Sequence, residues 1–486
     1  MTAFSRIFFL GVLLLYSGIS HAQTSCSAAD LRGDFATQPQ GILTIGPFAG
    51  PFAATGIIHF DGEGRFDGVA TSSFNGSVIF PFDAVGSYSV TPDCFVDIFE
   101  ETLRIAFEGY IAKGKNQVVL FQPQDTAITT NVLRRLQIPP CAAGTLRDGW
   151  AIQAEGSNIV TSGSFAQAGR FDFDGNGNLH GVTKSSLNGK IVSHSVNGSY
   201  RMNADCTFSA RFLDETGKLS NFFGTMFGDG NEFIFLYSND GIVIPGQARR
   251  IASLGQGSCA SADARGSFAV QIQGILTTGP FAGPYAISGI MTLDGGSRFV
   301  ATGTGSFNGT VTPLQVSGDY TVGSDCFVTT YDPAFPLAFE GYLARDKREI
   351  VLVQSQEASI GTNILRRISL PSCDSGTLNN NWTIQSSGSN IAESGRFAQN
   401  GRLRFDGNGN LQGVTASSPN GVLVRHTVNG TYQMNSNCSF TAEFQDENGQ
   451  SSSFTGIMFG DGGEFIFIYS NEGLVISGQA RQAVAD

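Results

Sequence analysis

The chain has 486 residues, including 62 Gly and 40 Phe, and only 14% of its residues are charged. That length exceeds what one hydrophobic core can organise, so several domains are expected, and the Gly- and Phe-rich composition favours short strands and tight turns over helices. A formal net charge of −12 sets up a field that repels phosphate backbones and anionic lipid surfaces, which argues against nucleic acid or a membrane surface as partner.

The chain begins with a processing segment. Arg6 precedes an apolar run at 7–16, and the small residues Ser20-His21-Ala22 follow. This pattern predicts a secretory signal over 1–22, because the apolar run is too short to make a good membrane span. Gln23-Thr24-Ser25 is a poor context for a lipoprotein acceptor at Cys26. No later stretch is long and apolar enough to cross a bilayer, so the mature chain is expected to lack a membrane span and to be secreted, to the periplasm or beyond the cell.

Four copies of a unit of roughly 110 residues follow. Cys26, Cys141, Cys259 and Cys373 open the copies, and Cys94, Cys206, Cys326 and Cys438 lie 65 to 68 residues further on. In an exported chain this regular spacing predicts one bridge inside each unit, each contributing about 4 kcal/mol if chain entropy dominates. Zinc would need closely spaced Cys or His pairs, and there are none, so neither a metal nor a cofactor is expected. The units fall at 26–140, 141–251, 259–372 and 373–484, with a linker of small residues at 252–258.

Other landmarks keep the same register. Phe35, Trp150, Phe268 and Trp382 lie nine residues past the opening cysteines. Turns follow at Asp61-Gly62, Asp174-Gly175, Asp294-Gly295 and Asp406-Gly407, then an Asn-Gly at Asn75, Asn188, Asn308 and Asn420. Gly-x-Tyr precedes the second cysteine at Tyr88, Tyr200, Tyr320 and Tyr432, and each final strand carries Arg134, Arg249, Arg366 or Arg481. Units one and three share Gly-Pro-Phe-Ala-Gly-Pro; units two and four share Gly-Asp-Gly-x-Glu-Phe-Ile-Phe. The history reads as a two-unit block duplicated once.

In the second unit, apolar or alternating runs near 149–156, 165–174, 178–186, 190–203, 206–213, 219–227, 232–238 and 242–250 predict eight short strands. Asp-Gly and Asn-Gly between several of them supply the positive φ that hairpin turns require. The fold class is therefore all-β: four tandem up-and-down antiparallel barrels of about eight strands, closed so that no edge stays unpaired. The seventh strands are apolar on both faces, as in Phe233-Ile234-Phe235-Leu236-Tyr237 and Val118-Val119-Leu120-Phe121. One face can fill a barrel; the other is expected to form a seam with a neighbour.

Gly33-Asp34-Phe35 and Gly266-Ser267-Phe268 resemble the Gly-x-Trp opening strand of lipocalin-type (calycin) barrels. Asp148-Gly149-Trp150 displaces that glycine and Asn380-Asn381-Trp382 lacks it. The resemblance implies that the arginine of each final strand packs on the aromatic at the closed end. The whole repeat also resembles tandem repeats of uncharacterised secreted bacterial proteins, a likeness that spans nearly all of the mature chain and implies no activity. The barrel of allene oxide cyclase and dirigent proteins is the second fold considered, and a β-sandwich array the third.

His194 and His426 hold equivalent places and share a strand face with two valines each, which points them toward a barrel interior as ligand anchors, general bases or hydrogen-bonded structural groups. Asp172 to Gly177 mimics the start of a calcium loop, but Thr183 stands where the bidentate Glu belongs, so a hairpin turn is favoured. The Gly-Pro-Phe-Ala-Gly-Pro loops set Phe48 with Phe52, and Phe281 with Tyr285, on rigid turns. There the rings form either a ligand or partner surface or a cap on the barrel mouth. Asn75, Asn197, Asn308 and Asn429 head glycosylation sequons that equally suit tight turns. The expected role is a non-catalytic exported binding or surface-structural protein. The alternatives are a lipocalin-like carrier of small hydrophobic ligands and a barrel enzyme of the cyclase or isomerase type.

Overall fold

The computed structural model describes residues 25–484 apart from 126, 139, 252–258, 333–337 and 394. The expected signal segment, 1–22, and the linker, 252–258, lie outside the described residues.

The second unit shows how local sequence makes a barrel. Its strands run Arg147–Asn158, Gly163–Asp174, Asn178–Leu187, Lys190–Met202, Thr207–Asp214, Leu219–Phe227 and Glu232–Tyr237, followed by a final strand broken into Ile242–Val243 and Pro245–Arg250. Each pairs antiparallel with the next, and the first pairs with the last through Ala151 opposite Arg249, which closes the sheet. The first unit closes in the same way, with the break in its opening strand, Gly33–Thr37 and Gln40–Leu43. Units three and four are closed barrels of eight unbroken strands.

The turns form where the backbone chemistry demands. Asn75, Asn188, Asn308 and Asn420 have φ of 48°, 52°, 47° and 50°, and the glycine after each is also positive, the two-residue turn that matches strand twist. In the earlier turn, the Asp174 carboxylate accepts backbone N–H bonds from Asn176 and Asn178, and Asp61, Asp294 and Asp406 do the same work. The bridges are Cys26–Cys94, Cys141–Cys206, Cys259–Cys326 and Cys373–Cys438. A short 3-10 turn after each opening cysteine, such as Ala28–Leu31, plugs the closed end; no sequence periodicity had indicated it.

Aromatic rings fill the interiors. In the second barrel Trp150, Phe171, Phe173, Phe208, Phe222 and Phe233 are buried and meet mostly edge to face, with centroids 4.8 to 6.4 Å apart. The fourth barrel repeats the arrangement around Trp382, Phe405, Phe440 and Phe465.

One expectation needs correction. The arginines that stack on the opening aromatics are not Arg134, Arg249 and Arg366 but their successors: Arg135 over Phe35 at 4.4 Å, Arg250 over Trp150 at 4.7 Å and Arg367 over Phe268 at 4.5 Å. In the fourth barrel the equivalent position is Gln482, opposite Trp382. Strand alternation is the cause: Trp150 pairs with Arg250, so these two share the inner face, while Arg249 faces out.

The outward faces of the seventh strands do form seams. Ile234 and Leu236 of barrel two pack on Ala36 and Ala53 of barrel one. Val351 and Val353 of barrel three pack on Ala151, Ala166 and Ala168 of barrel two. Ile466 and Ile468 of barrel four meet Ala269 and Ala286 of barrel three. Phe121 of barrel one meets Ala398 and Ala416 of barrel four. The contacts thus run one to two, two to three, three to four and four back to one: a closed ring built from head-to-tail interfaces. Backbone hydrogen bonds tie the seams, with Gly228 N–H donating to Arg135 O, Arg345 to Arg250, Gly460 to Arg367 and Lys113 to Gln482.

Ile234→Asp and Phe235→Asp test both faces of one strand. Each buries an unpaired carboxylate, and each is expected to cost about 3–5 kcal/mol by urea unfolding. An Ile234→Asp protein as stable as the parent would refute the seam.

Candidate functional site

The ring leaves an axial cavity of about 340 Å³ lined by side chains from all four barrels. Three strands of each barrel supply it: the opening strand, the start of the seventh and the last. Three residues past the landmark aromatic, each opening strand carries a glutamine: Gln38, Gln153, Gln271 and Gln385. Gln38 Nε2 donates across the seam to Phe235 O at 3.0 Å and Gly246 O at 2.8 Å. Gln271 reaches Gly478 O at 2.7 Å, and Gln385 reaches Leu120 O and Asn131 O. These amides satisfy carbonyls that packed barrels would otherwise strand from water.

Below the glutamines lies a charged ring. Arg134, Arg249, Arg366 and Arg481 point into it from the last strands, opposite Gln117, Glu232, Glu349 and Glu464 of the seventh strands. Arg249 bonds Glu232 at 3.0 Å within its barrel and Glu349 at 2.6 Å in the next. Burial opposes its charge, yet Glu232 and Glu349 outweigh that and hold the guanidinium above its ordinary value. Burial likewise works against the Glu349 carboxylate, but Arg249 and Arg366 keep it below the usual range. Arg134 differs: burial, then the like charges of Arg481 and Arg249, draw it down to about 9.

At the other end of the cavity, five residues past the landmark aromatic, stand Gln40, Glu155, Gln273 and Ser387. Glu155 accepts the Thr362 backbone N–H at 2.8 Å and the Thr362 hydroxyl. Burial pushes its carboxyl up to about 7, and the Thr362 bonds offset only part of that.

The sequence-derived candidates lie elsewhere, on the barrel mouths. Phe52 and Tyr285 are buried and do not belong to a surface: Phe52 stacks on Phe74 at 5.7 Å, and the Tyr285 hydroxyl donates to Gln354 Oε1 at 2.6 Å. Phe48 and Phe281 are 38% and 41% exposed, resting on Phe74 and Phe307 at 5.1 and 5.6 Å. They sit at the tips of the loops that continue the strands carrying Gln40 and Gln273. The pairing of an outer and an inner aromatic four residues apart follows from the Gly-Pro turns between them.

His194 and His426 do not enter the barrels. They have the inward parity but lie at the rim, where His194 Nδ1 is 3.0 Å from Glu215 and His426 Nδ1 is 3.2 Å from Glu447. The turn following the next strand reaches up to meet them. Asp172 is engaged by Arg170 at 2.6 Å and Asp174 by its own turn, so the calcium-like segment is a hairpin. Among the described residues no group of three or more His, Cys, Asp or Glu side chains is placed to hold a metal ion.

Sequence reasoning missed the axial cavity. Its signal was present: consecutive arginines, Arg134-Arg135, Arg249-Arg250 and Arg366-Arg367, must face opposite ways in a strand. One member of each pair therefore had to leave the barrel.

No family model matches the chain, and no curated protein matches it by sequence. Among solved structures, the isotype 1 transferrin binding protein B of serogroup B Neisseria meningitidis is similar over 86% of this chain and 86% of its own, at 9% identity and a TM-score of 0.22.

Glu155 generates a pH prediction. Its carboxyl rises from 4.5 to about 7 on folding. The folded state therefore holds the proton more tightly, and this contribution is complete below pH 4.5 and lost as pH rises through 7. Glu155→Gln should flatten the fall in stability across that window. Above it, the variant should exceed the parent by about 2 kcal/mol, allowing for water that enters the cavity. Urea unfolding across pH checks this, and parallel curves would reject it.

Proposed function

We propose that the protein is a non-catalytic, exported binding or surface-structural protein that makes its contacts through loops on a rigid four-barrel ring, not inside the barrels. The observation that carries this reading is the repeated aromatic pair. In barrels one and three, a half-exposed ring rests on a buried one, on a Gly-Pro-braced loop. Such a ring is held in place before any partner arrives, so little side-chain freedom is lost on contact. Two copies on diagonal barrels of one ring offer bivalent contact, which multiplies affinity when both engage. Four disulfides suit an oxidising compartment.

The packing of the barrels speaks against the carrier reading. The third barrel encloses an apolar cavity lined by Ile272, Ile287, Met291 and Phe339, but of only about 60 Å³. Ligand pockets commonly measure roughly 300–1,000 Å³. The second and fourth interiors are occupied by phenylalanine. The histidines that the catalytic reading drew on, His194 beside Glu215 and His426 beside Glu447, lie at the rims and not inside a barrel.

Titration with the hydrophobic dye 8-anilinonaphthalene-1-sulfonate separates the readings. Weak binding that disappears in the Phe48→Ala, Phe281→Ala double variant, with thermal stability nearly unchanged, is the expected result. Tight binding at several sites per chain that survives the double variant would favour a carrier and sink the proposal.

A further inference from the structure

We propose that the axial cavity binds one small oxyanion, a carboxylate or an inorganic ion of the phosphate type, at the seam between the fourth and first barrels. The argument begins with a broken repeat. The first residue of the seventh strand is Glu232, Glu349 and Glu464 in three barrels, and Gln117 in the first. The facing arginine is kept in all four. Four guanidinium groups therefore share three carboxylates in one layer, and one positive charge is left over.

The seam between barrels two and three shows what a carboxylate at this position can do. Between barrels two and three, Glu349 receives Arg249 from the preceding barrel at 2.6 Å and Arg366 from its own at 3.4 Å, bridging the two. Between barrels four and one, the equivalent position holds an uncharged amide. Arg481 keeps only Glu464 of its own barrel, at 3.3 Å, and its Nη1 is buried without a hydrogen-bond partner. The Gln117 Oε1 is also buried and unpartnered, so nothing fixes this amide, and it is free to turn its NH2 toward an anion. Arg134 makes no ion pair within the described residues; its guanidinium lies over Phe227 at 5.1 Å. Elsewhere the carboxylate stays within its own barrel, Glu232 with Arg249 and Glu464 with Arg481, and Phe227 under Arg134 belongs to barrel two. What sets the four-to-one seam apart is the amide at position 117, with Arg134 opposite it in the sheet and the Arg481 Nη1 unpartnered.

Glu155 does not supply the missing charge. It stands four residues along the strand from Ala151, the partner of Arg249. At about 3.3 Å per residue that places it roughly 13 Å from the arginine layer, and its bonds go to Thr362.

An uncompensated guanidinium in a confined space is costly, and an anion in the cavity removes that cost. An oxyanion fits better than a bare halide, because several acceptor oxygens can meet Arg481 Nη1, the Arg134 fork and the Gln117 amide N–H together.

Isothermal titration of the full mature chain at neutral pH, in chloride-free buffer, tests this with two probes: sodium phosphate and sodium acetate. One equivalent of either should bind, and the probe that binds tells inorganic anion from carboxylate. Gln117→Glu restores the fourth carboxylate, so it should weaken binding at least tenfold and raise the melting temperature measured without anion. Neither probe binding, or equal binding by Gln117→Glu, overturns the proposal. Should that variant fail to fold, Glu464→Gln decides: by widening the deficit it should bind at least as tightly as the parent, and weaker binding overturns the proposal.

Discussion

The outward side chains of the seventh strands, Phe121, Ile234, Leu236, Val351, Val353, Ile466 and Ile468, are fully or almost fully buried. None of them can be hidden by its own barrel, whose interior is already taken by the alternate residues. Alanines on the first three strands of the neighbouring barrel let the two sheets approach closely enough to cover them. Because each barrel carries both surfaces, one contact generates the next, and with four barrels the sequence of contacts closes. The glutamine layer and the charged layer exist only because that closure brings four last strands around one axis.

Polar chemistry in this protein is therefore concentrated where the repeats meet. Inside the barrels, interlocked phenylalanines in the second and fourth, and aliphatic side chains with a few rings in the third, leave little room for anything else. Along the axis, the two strands that close a barrel, with the start of the seventh, present Gln, Glu and Arg in layers around the cavity. The outer rim offers the histidine–glutamate pairs and the two braced aromatic loops. Each zone follows from one rule, the alternation of side chains along a strand, applied at a different radius.

Much of the barrel was legible in the sequence because its signals are local. The run at 178–186 became Asn178–Leu187, and that at 219–227 became Leu219–Phe227. Asn-Gly and Asp-Gly turns need particular φ values that few residues provide, so they announced themselves. Cysteine spacing revealed the pairing. Harder to read were features set by relations between barrels. Arg134 was assigned to the opening aromatic because the sequence places it in the right strand, whereas the face it takes depends on register. His194 has the inward parity, but how far along a barrel it sits depends on tilt and on the reach of the Asp214–Glu215 turn. The axial cavity requires knowing that the fourth barrel returns to the first, and nothing in a linear repeat fixes that.

The return has a topological consequence. Val484, near the C-terminus, joins the same apolar cluster as Cys26 and Leu31 of the first barrel. The first and last described segments thus lie side by side, and the circle of barrels has no privileged starting point. A polypeptide joined between Cys26 and Val484 and opened between the duplicated blocks would describe the same circle.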